Sequence, residues 1–154
     1  MKTINQIRLA VLAFMCLAML AATPWALYYY GLRELGGTPD LAAVSIDRMQ
    51  QQALWAAAGC AGEPLLEVLD PFSYLLAAAT LEAPPPSSIF AWRIASAYQH
   101  GHLQHTGMLW RQLSGTALTI WITRHWTMEQ ILSKVAQADQ ARAPAIALQR
   151  QTVE

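Results

Sequence analysis

His100, His102 and His105 stand in the spacing H-x-H-x-x-H. Three imidazoles could hold Zn²⁺ and leave a fourth position for water. They lie beside Gly101 and Gly107 with no carboxylate close by in the sequence, so a solvated loop near lipid headgroups is the competing expectation. Arg93, Arg111 and Arg124 are candidates for gripping a phosphate or carboxylate, because a guanidinium offers a bidentate fork. For Arg124 and its neighbour His125 the alternative is to cap a helix end, with Arg124 pairing to Glu129. Aromatic faces suit sugar rings, and the chain has six tryptophans. Trp92, Trp110 and Trp121 nevertheless fall at helical spacing among apolar residues, which predicts core packing. Trp126 is the exception and joins Arg93, Arg111 and Arg124 as a ligand-binding candidate; its competing reading is structural, since it directly precedes the capping box Thr127-Met128-Glu129-Gln130, where a residue can staple the helix entry onto its fourth residue.

The elements that must position these side chains read as helices throughout. Leu41, Val44, Met49, Leu54 and Ala57 form an apolar stripe, opened by Thr38 or Asp40 around Pro39 and closed by Gly59. Asp70-Pro71 is an N-cap followed by proline at the first helical position, and the apolar run after it stops at Pro84-Pro85-Pro86. Ser87 or Ser88 is expected to cap the next helix, which carries Ile89, Trp92 and Ala95 and breaks at Gly101. Residues 108–123 are apolar nearly all round but interrupted by Arg111 and Gln112, which predicts a central core helix rather than a membrane span. Met128, Ile131, Leu132 and Val135 give the face of a last helix. Beyond Ala136 the Ala- and Gln-rich sequence predicts a frayed helix or loose tail over 137–154.

Only 13% of the residues are charged and 55% are hydrophobic, against about 25% charged in soluble domains. A charge-free run from Leu9 to Leu32 supplies much of the difference. At about 1.5 Å per residue it exceeds the roughly 30 Å of bilayer hydrocarbon. Lys2 and Arg8 precede it, and Trp25 with Tyr28, Tyr29 and Tyr30 marks its far end as an aromatic belt. The expected organisation is a cytoplasmic N-terminus at 1–8, an anchor at 9–32, a linker at 33–40 and an extracytoplasmic helical domain at 41–136. A cleaved signal peptide is the competing reading, but no A-x-A site stands out. Cys16 follows Ala13-Phe14-Met15, too bulky for a lipobox, and Cys60 is expected as a small buried hydrophobe with no disulfide between the two. Ten basic residues balance ten acidic ones, which excludes the basic footprint of a nucleic-acid partner. No cofactor is implied.

The segment Ala117–Val135, ALTIWITRHWTMEQILSKV, resembles the closing part of the peptidoglycan glycosyltransferase domain of glycosyltransferase family 51, the monofunctional transglycosylases and penicillin-binding proteins. Trp126-Thr127-Met128 and Ile131-Leu132 match its W-S-K and I-L-E cadence, Trp110-Arg111-Gln112 falls where the family has R-K, and Ser88–Ala97 lies in register with S-T-I-T-Q-Q-x-A-K-N. The resemblance covers residues 88–133 and implies an all-α chain with a trimmed lysozyme-like lobe behind its anchor. It also implies a periplasmic location at the bacterial inner membrane and a ligand such as peptidoglycan or its lipid-linked precursor. The family's second catalytic glutamate aligns with Gly115, and its pyrophosphate-binding lysine with Ser96; the paired glutamines become Trp92 and Arg93. Glu82 is the nearest counterpart of the first glutamate, with no aspartate after it; Glu63 and Glu67 are the other carboxylates a rearranged lobe could use. Glycosyl transfer needs a base for the acceptor hydroxyl and a cation for the leaving pyrophosphate. The expectation is therefore a transglycosylase-like protein without catalysis, binding glycan, precursor or a cell-wall partner. The alternative is a helical single-pass scaffold or accessory subunit of an envelope complex.

Overall fold

The computed structural model describes residues 2–80, 83–105 and 107–151, and side chains within 7–77, 80, 83–105 and 107–142. Its elements are α1 (Lys2–Arg33), α2 (Arg48–Ala57), α3 (Pro71–Thr80), α4 (Pro86–His102), α5 (Met108–His125) and α6 (Met128–Gln151), and no strand occurs among the described residues.

α5 is the central helix, packed on α4 and on α1. One flank of α5 gives Leu118 and Ile122 to the main core, with Phe90 and Ile94 of α4 and Ile131, Leu132 and Val135 of α6. Ala117 and Ile120 face the other way and meet Tyr28 of α1 and Leu69 in a smaller cluster. A helix buried on two sides needs apolar residues nearly all round, which explains the missing polar stripe in its sequence.

α1 changes character along its length. Its apolar side chains from Ile7 to Leu20 are exposed, Phe14 to 72%, whereas Tyr28 is only 7% exposed and Leu35, just past its end, 2%. Helix α1 is long and apolar enough to cross a membrane from Ile7 onward. Pro24, buried where the packed part begins, withholds an N–H from the carbonyl of Leu20, the kind of break that membrane helices tolerate. Gly36, with φ of 63°, turns the chain off the helix, a conformation that side chains with a Cβ rarely adopt. Residues 33–40, expected as a linker, thus include a core residue and a buried Pro39.

Two helix starts differ from expectation. α2 begins at Arg48, not near Pro39, because Asp47 forms a capping box: its carboxylate accepts from the Gln50 amide at 2.8 Å and the Gln50 side chain accepts from the Asp47 amide at 3.3 Å. Just before it, the Ile46 amide donates to Ser133 Oγ at 3.1 Å, tying the non-helical segment to α6. α4 begins at Pro86, and neither serine caps it. Ser87 is buried and accepts from the Glu67 amide at 3.2 Å, while Ser88 Oγ donates to the Pro85 carbonyl at 2.7 Å. α4 also runs through Gly101 to His102 instead of breaking there.

The Asp70 and Thr127 caps form as the sequence predicts. Asp70 Oδ1 accepts from the Phe72 and Ser73 amides at 2.9 and 3.0 Å. Gln130 reaches back to the Thr127 amide at 2.8 Å, and Thr127 Oγ1 accepts from the Gln130 amide at 3.3 Å. Cys60 is partly buried against the main core and Cys16 is exposed on α1, both as free thiols.

Candidate functional site

The chemistry-bearing residues fall into three places. The first is the crossing of α1 and α5. A Cβ built on Gly31 would lie 2.6 Å from Ala117 Cβ and 2.7 Å from the Leu113 carbonyl oxygen, so the two backbones approach as closely as only small residues permit. Nearer the exposed part of α1, the Arg124 guanidinium lies 5.6 Å from the centre of the Trp25 ring. The expected ion pair between Arg124 and Glu129 is replaced by this cation–π contact, and the Glu129 carboxylate instead accepts from the Ser45 hydroxyl. The reason is proximity: Trp25 comes within reach once α1 packs on α5, a contact that sequence spacing cannot register. His125 stacks on Trp121 at 4.5 Å and bonds the Trp121 carbonyl through Nδ1 at 2.8 Å.

The second place is an open cleft of about 310 Å³ between α4, α6 and residues 38–40. Arg93 lines it and is paired to Asp139 at 2.6 Å, with both side chains about 40% exposed. Lys134, Arg142 and Asp40 complete its charged wall, and the Tyr98 and His102 rings stack at 3.8 Å along its edge.

The third is the buried contact of α4 with α5 around Gly115. A Cβ there would meet Gln99 Nε2 and the Trp92 ring at 2.9 Å. Gln99 is itself held, donating to the Arg111 carbonyl at 2.6 Å and to Ser114 Oγ at 2.7 Å. Position 115, where the family resemblance would put a glutamate, is a packing position with no room for a carboxylate.

The sequence-derived candidates do not converge. His100 and His102 stand on α4, not in a loop, two residues apart, so the rings leave different sides of the helix. Each Nδ1 bonds a carbonyl of its own helix, Ser96 at 2.7 Å and Tyr98 at 2.8 Å. His105 meets Glu34 at 2.7 Å, a carboxylate brought from the end of α1. No group of three metal-ligating side chains forms among the described residues. Arg111 and Arg124 sit near opposite ends of α5, about 20 Å apart at about 1.5 Å per residue. Trp126 is buried in the main core together with Ile131, the residue it was expected to staple. Trp92, Trp110 and Trp121, expected in the core, are only partly buried; the fully buried tryptophans are Trp126 and Trp55, the latter stacked on Phe90. Glu63 and Glu67 are exposed, and Glu82 lies outside the described residues.

Sequence reasoning did not single out Gly31, Glu34 or Gln99. A lone glycine beside Tyr28–Tyr30 was the available signal for the first, since glycine in a helix costs about 1 kcal/mol unless close packing requires it. No family model, curated protein or solved structure matches the chain.

Proposed function

We propose that this chain is a single-pass, membrane-anchored helical scaffold or accessory subunit of an envelope complex, with its helical domain seated directly on the bilayer. The supporting observation is that one helix serves both purposes: α1, exposed and apolar from Leu9 to Ala22, continues past Pro24 to Tyr28 and Gly31, which pack against α5. Removal of α1 as a signal peptide would strip those residues from the core, which favours retention. Lys2 and Arg8 on the short N-terminal side favour a cytoplasmic N-terminus and, in a bacterial inner membrane, a periplasmic domain. A scaffold needs stable docking surfaces rather than a convergent reactive centre, and the dispersed cations and carboxylates suit that role.

The peptidoglycan-binding reading rests on the cadence of residues 88–133, and the close packing at Gly115 weighs against a catalytic form of it. The test is membrane fractionation with protease accessibility, followed by photo-crosslinking in membranes from position 134 in the cleft. A full-length, alkali-resistant membrane protein that crosslinks to one defined envelope protein, with peptidoglycan and lipid-linked precursor binding at background, is the expected result. Specific glycan binding with no protein partner would replace this reading by the glycan-binding one. Recovery from the aqueous fraction without detergent would end both.

A further inference from the structure

Every side chain of α1 from Ile7 to Thr23 is exposed, and beyond Pro24 the helix keeps an open face at Trp25, Leu27, Tyr29 and Tyr30. About 20 residues at about 1.5 Å each cross the roughly 30 Å of a bilayer's hydrocarbon core. Counted from Leu9, the first residue past Arg8, that length ends at Tyr28, so the turn beginning at Pro24 lies within lipid depth. There the lipid meets a helix covered on one side by the domain, so whatever packs on that turn shares its depth.

On one side the covering element is α3. Its Pro71, Tyr74 and Leu75 form an apolar groove with Pro24, Leu27 and Tyr28. α3 carries no charged residue, and among the described residues it packs chiefly on α1, with Tyr74 reaching the cluster of Ala117 and Ile120 on α5. Phe72, Leu75 and Leu76 stand at i, i+3 and i+4, one face of the helix, and are 53, 47 and 56% exposed. Arg124, held against Trp25 at the same level of α1, supplies the cation and the aromatic ring found at headgroup depth.

We propose that α3 is an interfacial helix, lying in the outer leaflet with Phe72, Leu75 and Leu76 among the acyl chains, and that the occupant of this apolar face is bilayer lipid. The proposal rests on the reading of α1 as a membrane anchor. Continuity with the exposed α1 surface and the depth at which α3 meets α1, at Pro24, Leu27 and Tyr28, favour lipid over a protein partner. Burial of such a face in the boundary between headgroups and acyl chains is the ordinary mode of a helix that lies on a membrane.

Single cysteines at Phe72, Leu76, Leu17 and His100, in a full-length Cys16→Ser, Cys60→Ser background, test this. Each is labelled with a polarity-sensitive fluorophore and reconstituted in phosphatidylethanolamine–phosphatidylglycerol vesicles containing doxyl-labelled phosphatidylcholine. His100 is the exposed reference, near the C-terminal end of α4. The expected result is blue-shifted, lipid-quenched emission at 72, 76 and 17, and unquenched, water-like emission at 100. Quenching at 17 with water-like emission at 72 and 76 overturns the proposal and leaves the anchor intact. Positions 72 and 76 shielded from aqueous iodide yet untouched by the lipid quencher would assign the face to a protein or a second copy, and also overturn it. Absence of quenching at 17 would remove the anchor reading and this one together.

Discussion

Gly115 shows how packing decides what chemistry a position can carry. Alanine there gains up to about 1 kcal/mol of helix propensity, but its Cβ would press on a Gln99 amide fixed by two hydrogen bonds and on the Trp92 ring. Overpacking of this kind typically costs about 1–3 kcal/mol, so Gly115→Ala is expected to lower the thermal midpoint despite its propensity gain. Gly115→Glu should fail to give a cooperative transition; a stable Gly115→Glu protein with the wild-type midpoint would refute the assignment of this site to packing. Asp70 makes a second, pH-dependent prediction. Hydrogen bonds from the Ser73 hydroxyl and the Ser73 and Phe72 amides hold its carboxyl below the usual value of 3.8. A carboxylate depressed on folding stabilises the native state above its unfolded pKa, and that contribution fades as pH falls through the lower folded value. The start of α3 should accordingly loosen below about pH 4, seen as lower amide protection factors at Phe72 and Ser73 once the intrinsic pH dependence of exchange is divided out, and Asp70→Asn should remove most of that change.

At the scale of elements, the crossing of α1 and α5 is set by Gly31. The atoms a side chain would strike include the Leu113 carbonyl, which is backbone and cannot rotate away. Gly31→Leu should therefore push the helices apart and destabilise the domain by about 1–3 kcal/mol or more, measured by denaturation in detergent, while leaving membrane insertion intact. Most helices were legible because their boundaries are written in local chemistry: Asp70-Pro71, the Thr127–Gln130 box and the proline run are short-range signals. The start of α2 was misplaced because two caps compete, and the choice of Asp47 is backed by the long-range bond from Ile46 to Ser133. Gly101 as a breaker predicts all three histidines in a loop, yet the α4 backbone runs through it and carries His100 and His102, and of the three only His105 lies outside a helix. No carboxylate stands near His105 in the sequence because Glu34 comes from the turn that follows α1, 71 residues away.

For the molecule as a whole, α1 and the helices it packs against are one folding unit. Deleting residues 1–23 should leave a compact domain with a cooperative melt, whereas deleting residues 1–35 should abolish it, since the second removes Tyr28, Gly31, Leu32 and Leu35 from the core. Far-UV circular dichroism with thermal melts of both truncations decides this; equal midpoints would show that α1 contributes nothing to the fold. The apolar run was legible as long enough to span a membrane, but its division into an exposed part and a core part was not, because both lack charge and only tertiary packing separates them. On the membrane-anchor reading proposed above, the same division sets an order of events during biosynthesis. The segment that closes the core against α5 is made before α5 and would enter the membrane before its partner exists. Tyr28 and Gly31 would then wait at the water–lipid boundary until α2, α3 and α4 have crossed and α5 arrives, so that the native state nucleates beside the bilayer, late in translocation.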